Sequence, residues 1–249
     1  CVCYAISNTL QIYSINHTDR TLSPVGPPHP LPDTPAKIAL DPLGKHVFIS
    51  YPMANMLESY TVNSNTGELS FTATIGTLAQ PEAIAIDPTG QFLYLSAERA
   101  SRLLGFRLNN GQFTAPLGNL TTPEGTTGAL LSFSRHADTL YAVLNGSGLV
   151  LTCTIDATSG LLTPVGQPAS TGGPSLEFIC HPSKDLAYAP LVDNTSNGEV
   201  GHYGLDPFSG FPSHQGSSSI GLAPVDLGFD PLGRFLYLAD SDSGQVTVL

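Results

Sequence analysis

The sequence has no tryptophan, only nine lysines and arginines, and no apolar run approaching the roughly 20 residues of a membrane-crossing helix. A transmembrane segment is therefore not expected. The first residues lack the basic and apolar regions of a signal peptide, and the chain starts at Cys1 without Met, which predicts a processed or trimmed polypeptide. Twenty Asp and Glu leave a net charge of -11, and the few basic residues are scattered. That removes the electrostatic basis for binding nucleic acid or an anionic membrane. His-Glu-x-x-His, Gly-x-Ser-x-Gly and the recognised glycine-rich phosphate loops are all missing, as is any haem motif, so no cofactor is expected. No segment sustains a 3.6-residue apolar period, so helix should be scarce.

What is present is a phrase that returns. Asp-Pro turns stand at Asp41-Pro42, Asp87-Pro88 and Asp230-Pro231, with His181-Pro182 in the same role and Ser134 in a degenerate copy, at spacings of 46, 47, 47 and 49 residues. A period near 47 belongs to propeller blades rather than to the shorter solenoid repeats. Within one unit, Ile84–Ile86, Phe92–Ser96, Leu103–Leu108 and the region of Phe113 read as four strands, joined by a tight turn at Asp87-Pro88-Thr89-Gly90 and a hairpin at Asn109-Asn110-Gly111. The turn Asp accepts backbone N–H bonds, Pro presets the next φ and Gly takes the open-φ position, so Asp41, Asp87, His181 and Asp230 read as structural rather than catalytic. The expected fold is an all-β propeller of four-stranded antiparallel blades, a single domain over 1–249 with about five and a half blades. Its units run approximately over 1–33, 34–79, 80–126, 127–172, 173–222 and 223–249, the terminal two incomplete, for twenty-two strands.

"IALDPLGKHVFIS", "IAIDPTGQFLYLS" and "LGFDPLGRFLYLA", with "YTVNSNTGELS" and "TIDATSGLLTPVG", resemble the lactonase-like, or YVTN-type, β-propellers along essentially the whole chain. The resemblance implies seven blades of four strands, and hence a chain short by on the order of 65 residues. It also implies a choice among 6-phosphogluconolactonases, carboxymuconate-cyclising enzymes and members of no assigned chemistry. The phosphogluconolactonase-like pattern carries Gly-Pro-Arg-His before a first strand and a Glu after the second-strand Asn. Here the best match is "GGPSLEFICHPSKDLAYAPLVDN", with Ser175 and Leu176 at the Arg-His positions and Pro190-Leu191 where Asn-Glu is expected. Loss of that cation counts against a phosphate grip.

Propellers bind ligands on the face shared by the segments before the first strand and between the second and third. Those segments supply Lys37, Tyr51, Met53, Asn55, Glu82, Glu98, Arg99, Glu177, Asp226, Asp240 and Asp242. Carboxylates beside a cation suit acid-base work, making Glu98, Arg99 and Glu177 the catalytic candidates, while solvated loop charges are the plainer reading. Asp240-Ser241-Asp242-Ser243-Gly244 imitates the start of a calcium loop without its distal Glu, so no metal is expected there. Cys1, Cys3, Cys153 and Cys180 have no C-x-x-C spacing; buried thiols are the main expectation, a Cys153 to Cys180 bridge the specific alternative, and lipid attachment at Cys1 a further one. Asn16, Asn119, Asn145 and Asn194 head glycosylation sequons, of which roughly two or three would arise by chance.

Scarce lysine, abundant Ser, Thr and Gly, and resemblance to exported family members favour an extracytoplasmic site. The acidic, low-charge surface and missing Arg-His favour a binding or assembly module working through a protein partner or self-association. A lactone hydrolase or cyclising isomerase, binding a small anionic or sugar-derived ligand, is the alternative that the resemblance alone supports.

Overall fold

The computed structural model describes every residue except 1, 7, 17, 20, 78, 79, 98–100, 124–128, 145, 146, 176, 193–197 and 221–223. Two compact units divide the chain, Cys1–Asn119 and Leu120–Leu249. In the first, β1 (Val2–Ile6), β2 (Thr9–Ile15) and β3 (Leu22–Pro30) form one sheet, and β4 (Lys37–Leu40), β5 (His46–Tyr51), β6 (Met56–Val62) and β7 (Leu69–Gly76) a second. The third sheet is β8 (Pro81–Ile86), β9 (Phe92–Ala97), β10 (Arg102–Asn109) and β11 (Gln112–Thr121). In the second unit, β12 (Ala129–Phe133), β13 (Thr139–Leu144), β14 (Leu149–Ile155), β15 (Leu162–Pro164) and β16 (Ala169–Ser170) form the fourth sheet. The fifth is β17 (Ile179–Cys180), β18 (Leu186–Val192), β19 (Gly198–Leu205) and β20 (Pro212–Ser219), and the sixth β21 (Pro224–Phe229), β22 (Leu236–Asp240) and β23 (Val246–Val248). Neighbouring strands are antiparallel throughout, no helix occurs among the described residues, and the fold is an all-β propeller of four-stranded blades.

The strand pattern follows from burial on two faces. β5, β9 and β13 are buried at every position, as strands covered on both faces are. Such strands read as continuous apolar runs, as in "HVFISY" and "FLYLSA", while outer β7 and β11 alternate between half-buried and exposed. One core cluster joins Phe48 and Leu57 to Ile84, Leu93, Leu95 and Phe106, filling the gap between the second and third sheets. Another sets Tyr141, Val143 and Val150 against Phe178, Ala187 and Tyr203 between the fourth and fifth.

Turn chemistry fixes the inner hairpins. Asp87 accepts the N–H of Thr89 at 3.0 Å and of Phe92 at 2.6 Å, and its carbonyl accepts the N–H of Gly90, which sits at φ 75°. Asp41 accepts from Lys45 and His46, and Asp230 from Arg234 and Phe235, in the same way. At His181, Nδ1 accepts the Ser183 N–H at 3.1 Å while Nε2 donates to the Gly233 carbonyl at 3.0 Å, which assigns the neutral Nε2–H tautomer.

Within each unit an outer hairpin ties its sheet to the one before. Ser59 donates to the Gly111 carbonyl at 2.6 Å, and Tyr141 to the Gly210 carbonyl at 2.7 Å. Both glycines have positive φ, 76° and 71°, and a Cβ on either would strike the neighbouring sheet, at 2.4 Å from His46 Cδ2 and 2.8 Å from Thr139 Oγ1. Only glycine lets these turns approach so closely.

Two expectations need correcting. The described strands number twenty-three rather than twenty-two, because the outer edge of the fourth sheet is split: β15 and β16 both pair with β14, separated by Val165-Gly166-Gln167-Pro168. Cys153 and Cys180 are free thiols, not a bridge. Cys153 pairs with Leu140, whereas the next pairs in register, Tyr141 with Thr152 and Val143 with Val150, put Tyr141 and Val150 on the face that meets the fifth sheet. Alternation therefore turns Cys153 away from Cys180. Burial pushes both thiols up to about 12.

Candidate functional site

In the first unit the positions expected on the ligand face lie at the starts of β4 and β8 and the end of β5. Lys37 is exposed, its backbone N–H held by Ser50 Oγ at 3.1 Å, and the same hydroxyl reaches the Glu82 carbonyl at 3.4 Å. A register shift between Pro81 and Ile84 sets half-buried Glu82 at a bulge, which re-aims side chains at a strand start. Asn55 adopts φ 51° in the turn after β5, its carbonyl accepting the Thr77 N–H at 2.7 Å, and Met53 beside it is exposed. Glu98, Arg99, Asn145, Asn194, Leu176 and Cys1 lie outside the described residues.

Tyr51 is not at the surface. Its side chain is fully buried between the first and second sheets beside Glu58, itself only 8% exposed, and Tyr60, whose hydroxyl donates to Glu58 Oε2 at 2.6 Å. Burial first, then the neighbouring Tyr60 and Glu58, hold the Tyr51 hydroxyl far above its ordinary ionisation range; burial and the bond to Glu58 do the same for Tyr60. At the repeat-equivalent position the third and fourth sheets carry Leu104 and Leu151, which pair with Leu95 and Ala142 as Glu58 pairs with Ile49. A carboxylate inside "MLESYTV", between buried Leu57 and Ser59, was the signal that the sequence offered for this group.

In the second unit the residues expected on the ligand face are carboxylates. Glu177 follows a kink in which Ser175 Oγ donates to the Glu177 carbonyl at 2.7 Å and Ser175 bridges Leu191. Its Oε2 accepts the Leu227 N–H at 2.8 Å, clamping the first strand of the sixth sheet. Asp226, next to Leu227, is exposed, and a register shift between Pro224 and Asp226 marks a bulge there. Asp240 is buried and caps its own turn, accepting the Ser243 N–H at 2.6 Å, while Asp242 is exposed in that turn. No cluster of three metal-binding side chains occurs among the described residues.

The unit's lysine and arginines sit at the other end of the strands. Arg135 forks onto Asp185 at 2.8 and 3.1 Å, Arg234 holds Asp230 at 3.0 Å, and Lys184 lies in the His181 turn. The Arg135 hydrogen bonds, with its charge and that of His136, keep Asp185 below the usual carboxylate range. The carboxylate end of this unit has no described Lys or Arg to offer an anion.

A family model described as "Lactonase, 7-bladed beta-propeller" matches residues 2–126 and 72–185. The chain belongs to this family. Among solved structures, a candidate 6-phosphogluconolactonase of Bacteroides uniformis superposes with a TM-score of 0.82 at 19% identity, over 96% of this chain and 73% of its own. The periplasmic gluconolactonase PpgL of Pseudomonas aeruginosa gives 0.59 at 17%, over 98% and 92%. Kuenenia stuttgartiensis hydrazine synthase gives 0.65 at 14%, over 97% and 70%, so at these identities the likeness carries fold and not chemistry. No curated protein matches the sequence. No described helix is long and apolar enough to cross a membrane.

Proposed function

We propose that this propeller hydrolyses the ring ester of a neutral, sugar-derived lactone. The match to the lactonase family over residues 2–185 supports it, and favours an enzyme over the binding or assembly module that the charge pattern suggested. The gluconolactonase and candidate phosphogluconolactonase among its structural neighbours point the same way, and the periplasmic one also supports an extracytoplasmic location. The substrate's lack of charge rests on the second unit. Ser175 stands at the family's cation position, and Arg135, Lys184 and Arg234 lie at the opposite strand ends.

The chemistry needs a base to take a proton from water as its oxygen attacks the lactone carbonyl carbon. The ring C–O bond then breaks, and a proton passes to the departing alkoxide to give a hydroxy acid. We assign the first proton to Asp226, which is exposed, lies on a first strand and adjoins the Leu227 N–H that Glu177 holds.

Acid release from glucono-1,5-lactone, followed at constant pH against the spontaneous rate, tests the reading. Hydrolysis above background that falls at least tenfold in Asp226→Asn supports it. Wild-type protein no faster than buffer with this lactone overturns it, and faster turnover of the 6-phosphate would overturn the neutral-substrate assignment while sparing the lactonase.

A further inference from the structure

Three departures from the repeat meet between the fifth and sixth sheets. Lys184 stands three residues into its inner turn, where the turns of the second, third, fourth and sixth sheets carry Gly44, Gly90, Ala137 and Gly233. His202 pairs with Tyr188, whereas Ser59, Gly105, Thr152 and Val248 hold that third-strand position in the same four sheets. Tyr188 itself stands where the fourth sheet has Tyr141, seven residues after the start of the turn. The Tyr141 hydroxyl is used on the Gly210 carbonyl, but no described residue bonds the hydroxyl of Tyr188.

All three side chains line one cavity of about 310 Å³, with Phe229, Val200 and Leu236 on its apolar part and Arg234 and Ser218 on its polar part. The Tyr188 ring lies 5.5 Å from Phe229 at 71° and 5.4 Å from His202 at 59°. Rings around an apolar hollow at the small end of ligand-site volumes suit a single-ring ligand. The hydrogen-bonding groups left over are donors that need no added proton. Lys184 is exposed and pairs with no described carboxylate, and Arg234 gives Nε to Asp230 at 3.0 Å, which leaves its two Nη groups. The nearby carboxylates are taken, Asp185 by the Arg135 fork and Asp230 by the N–H groups of Arg234 and Phe235. His181 is spent at both nitrogens, and no described Asp or Glu lines the cavity.

We propose that this cavity binds a small aromatic carboxylate. Its ring lies against Tyr188, His202 and Phe229, and its acid group is held by Lys184, Arg234 and the Tyr188 hydroxyl. The site sits at the inner-turn end of the strands, away from Glu177 and Asp226, and does not rest on the lactonase reading.

Calorimetric titration of the folded chain with benzoate tests this, against benzamide as its uncharged counterpart and acetate as the acid without a ring. Benzoate should bind saturably at one site, several-fold more tightly than either. Lys184→Ala and Tyr188→Phe should each weaken it several-fold while keeping the wild-type thermal midpoint, which separates a lost contact from a lost fold. Glucono-1,5-lactone in excess should leave benzoate binding unchanged. Benzamide binding as tightly would overturn the acid grip, and acetate binding as tightly would overturn the ring pocket. Heat that never saturates, an affinity unchanged in both variants, or displacement by the lactone would overturn the site.

Discussion

Glu177 reaches out of the fifth sheet and accepts the backbone N–H of Leu227 at 2.8 Å, so that a side chain takes the place of a strand partner for the first strand of the sixth. The bond joins two repeats and sits beside Asp226, which ties stability to the candidate site. Glu177→Ala should cost about 1.5–3 kcal/mol in urea unfolding, the range for hydrogen bonds to charged groups, and Glu177→Gln, which keeps an acceptor, distinctly less. Equal losses in the two variants would mean that the carboxylate acts through packing instead.

Two hairpin glycines, Gly44 of an inner turn and Gly111 of an outer one, separate backbone strain from collision. Gly44, at φ 64° with open space around it, should lose about 1 kcal/mol on changing to Ala. Gly111→Ala adds a clash with His46 to the same unfavourable φ and should lose about 2 kcal/mol or more. Thermal unfolding of the two variants side by side checks the order, and a Gly111→Ala no worse than Gly44→Ala would remove the close approach from the account.

The degenerate fourth unit offers the reverse test. Ala137 holds φ 63° and donates its N–H to the Ser134 carbonyl, the place that Gly44, Gly90 and Gly233 fill in the other turns. A Cβ in the left-handed region is strained, so Ala137→Gly should stabilise by about 1 kcal/mol, net of the greater freedom of the unfolded chain. A fall in the unfolding midpoint would contradict it.

These turns show why the fold was legible. Asp, Pro and Gly act locally, and "FLYLS" needs only burial on both faces, so strand identity, hairpin order and blade period can all be read from short segments. The broken edge at Val165–Pro168 was not, because a strand's outer partner tolerates interruption without changing its apolar pattern. At the candidate site, side-chain direction mattered more than position. Tyr51 belongs to a ligand-face segment by number but turns into an interface, and Glu58 joins it from another strand. Cys153 likewise faces away from Cys180 through a register that spacing cannot supply.

The Tyr60 to Glu58 bond predicts strong coupling. Tyr60→Phe removes a donor from a buried carboxylate and Glu58→Leu leaves a buried phenol without its acceptor, and each should destabilise by about 1–3 kcal/mol. Removing both partners leaves only packing to adjust, as at Leu104 and Leu151 of the other sheets, so the double variant should be nearer wild type than the sum of the singles. A double-mutant cycle in urea checks this, and additive losses would show that the pair does not act as a unit.

Acid should act on the outer turns. Asp156 accepts the Ser159 N–H at 2.7 Å, the Ser159 hydroxyl at 2.8 Å and the Thr158 N–H at 3.1 Å, and Asp206 repeats the geometry with Ser209 and Phe208. Those bonds, the Ser159 and Ser209 N–H groups foremost, hold both carboxyls below their ordinary value. With folded pKa values depressed, the unfolded chain binds more protons in this window; the stabilisation is complete above about pH 4 and is lost as pH falls through the lower, folded values. Urea midpoints measured between about pH 5 and pH 2 should therefore decline, and more shallowly in Asp156→Asn with Asp206→Asn, where neither group titrates. An unchanged slope in that double variant would shift the acid sensitivity to other carboxylates, Asp185 under Arg135 being the next to change.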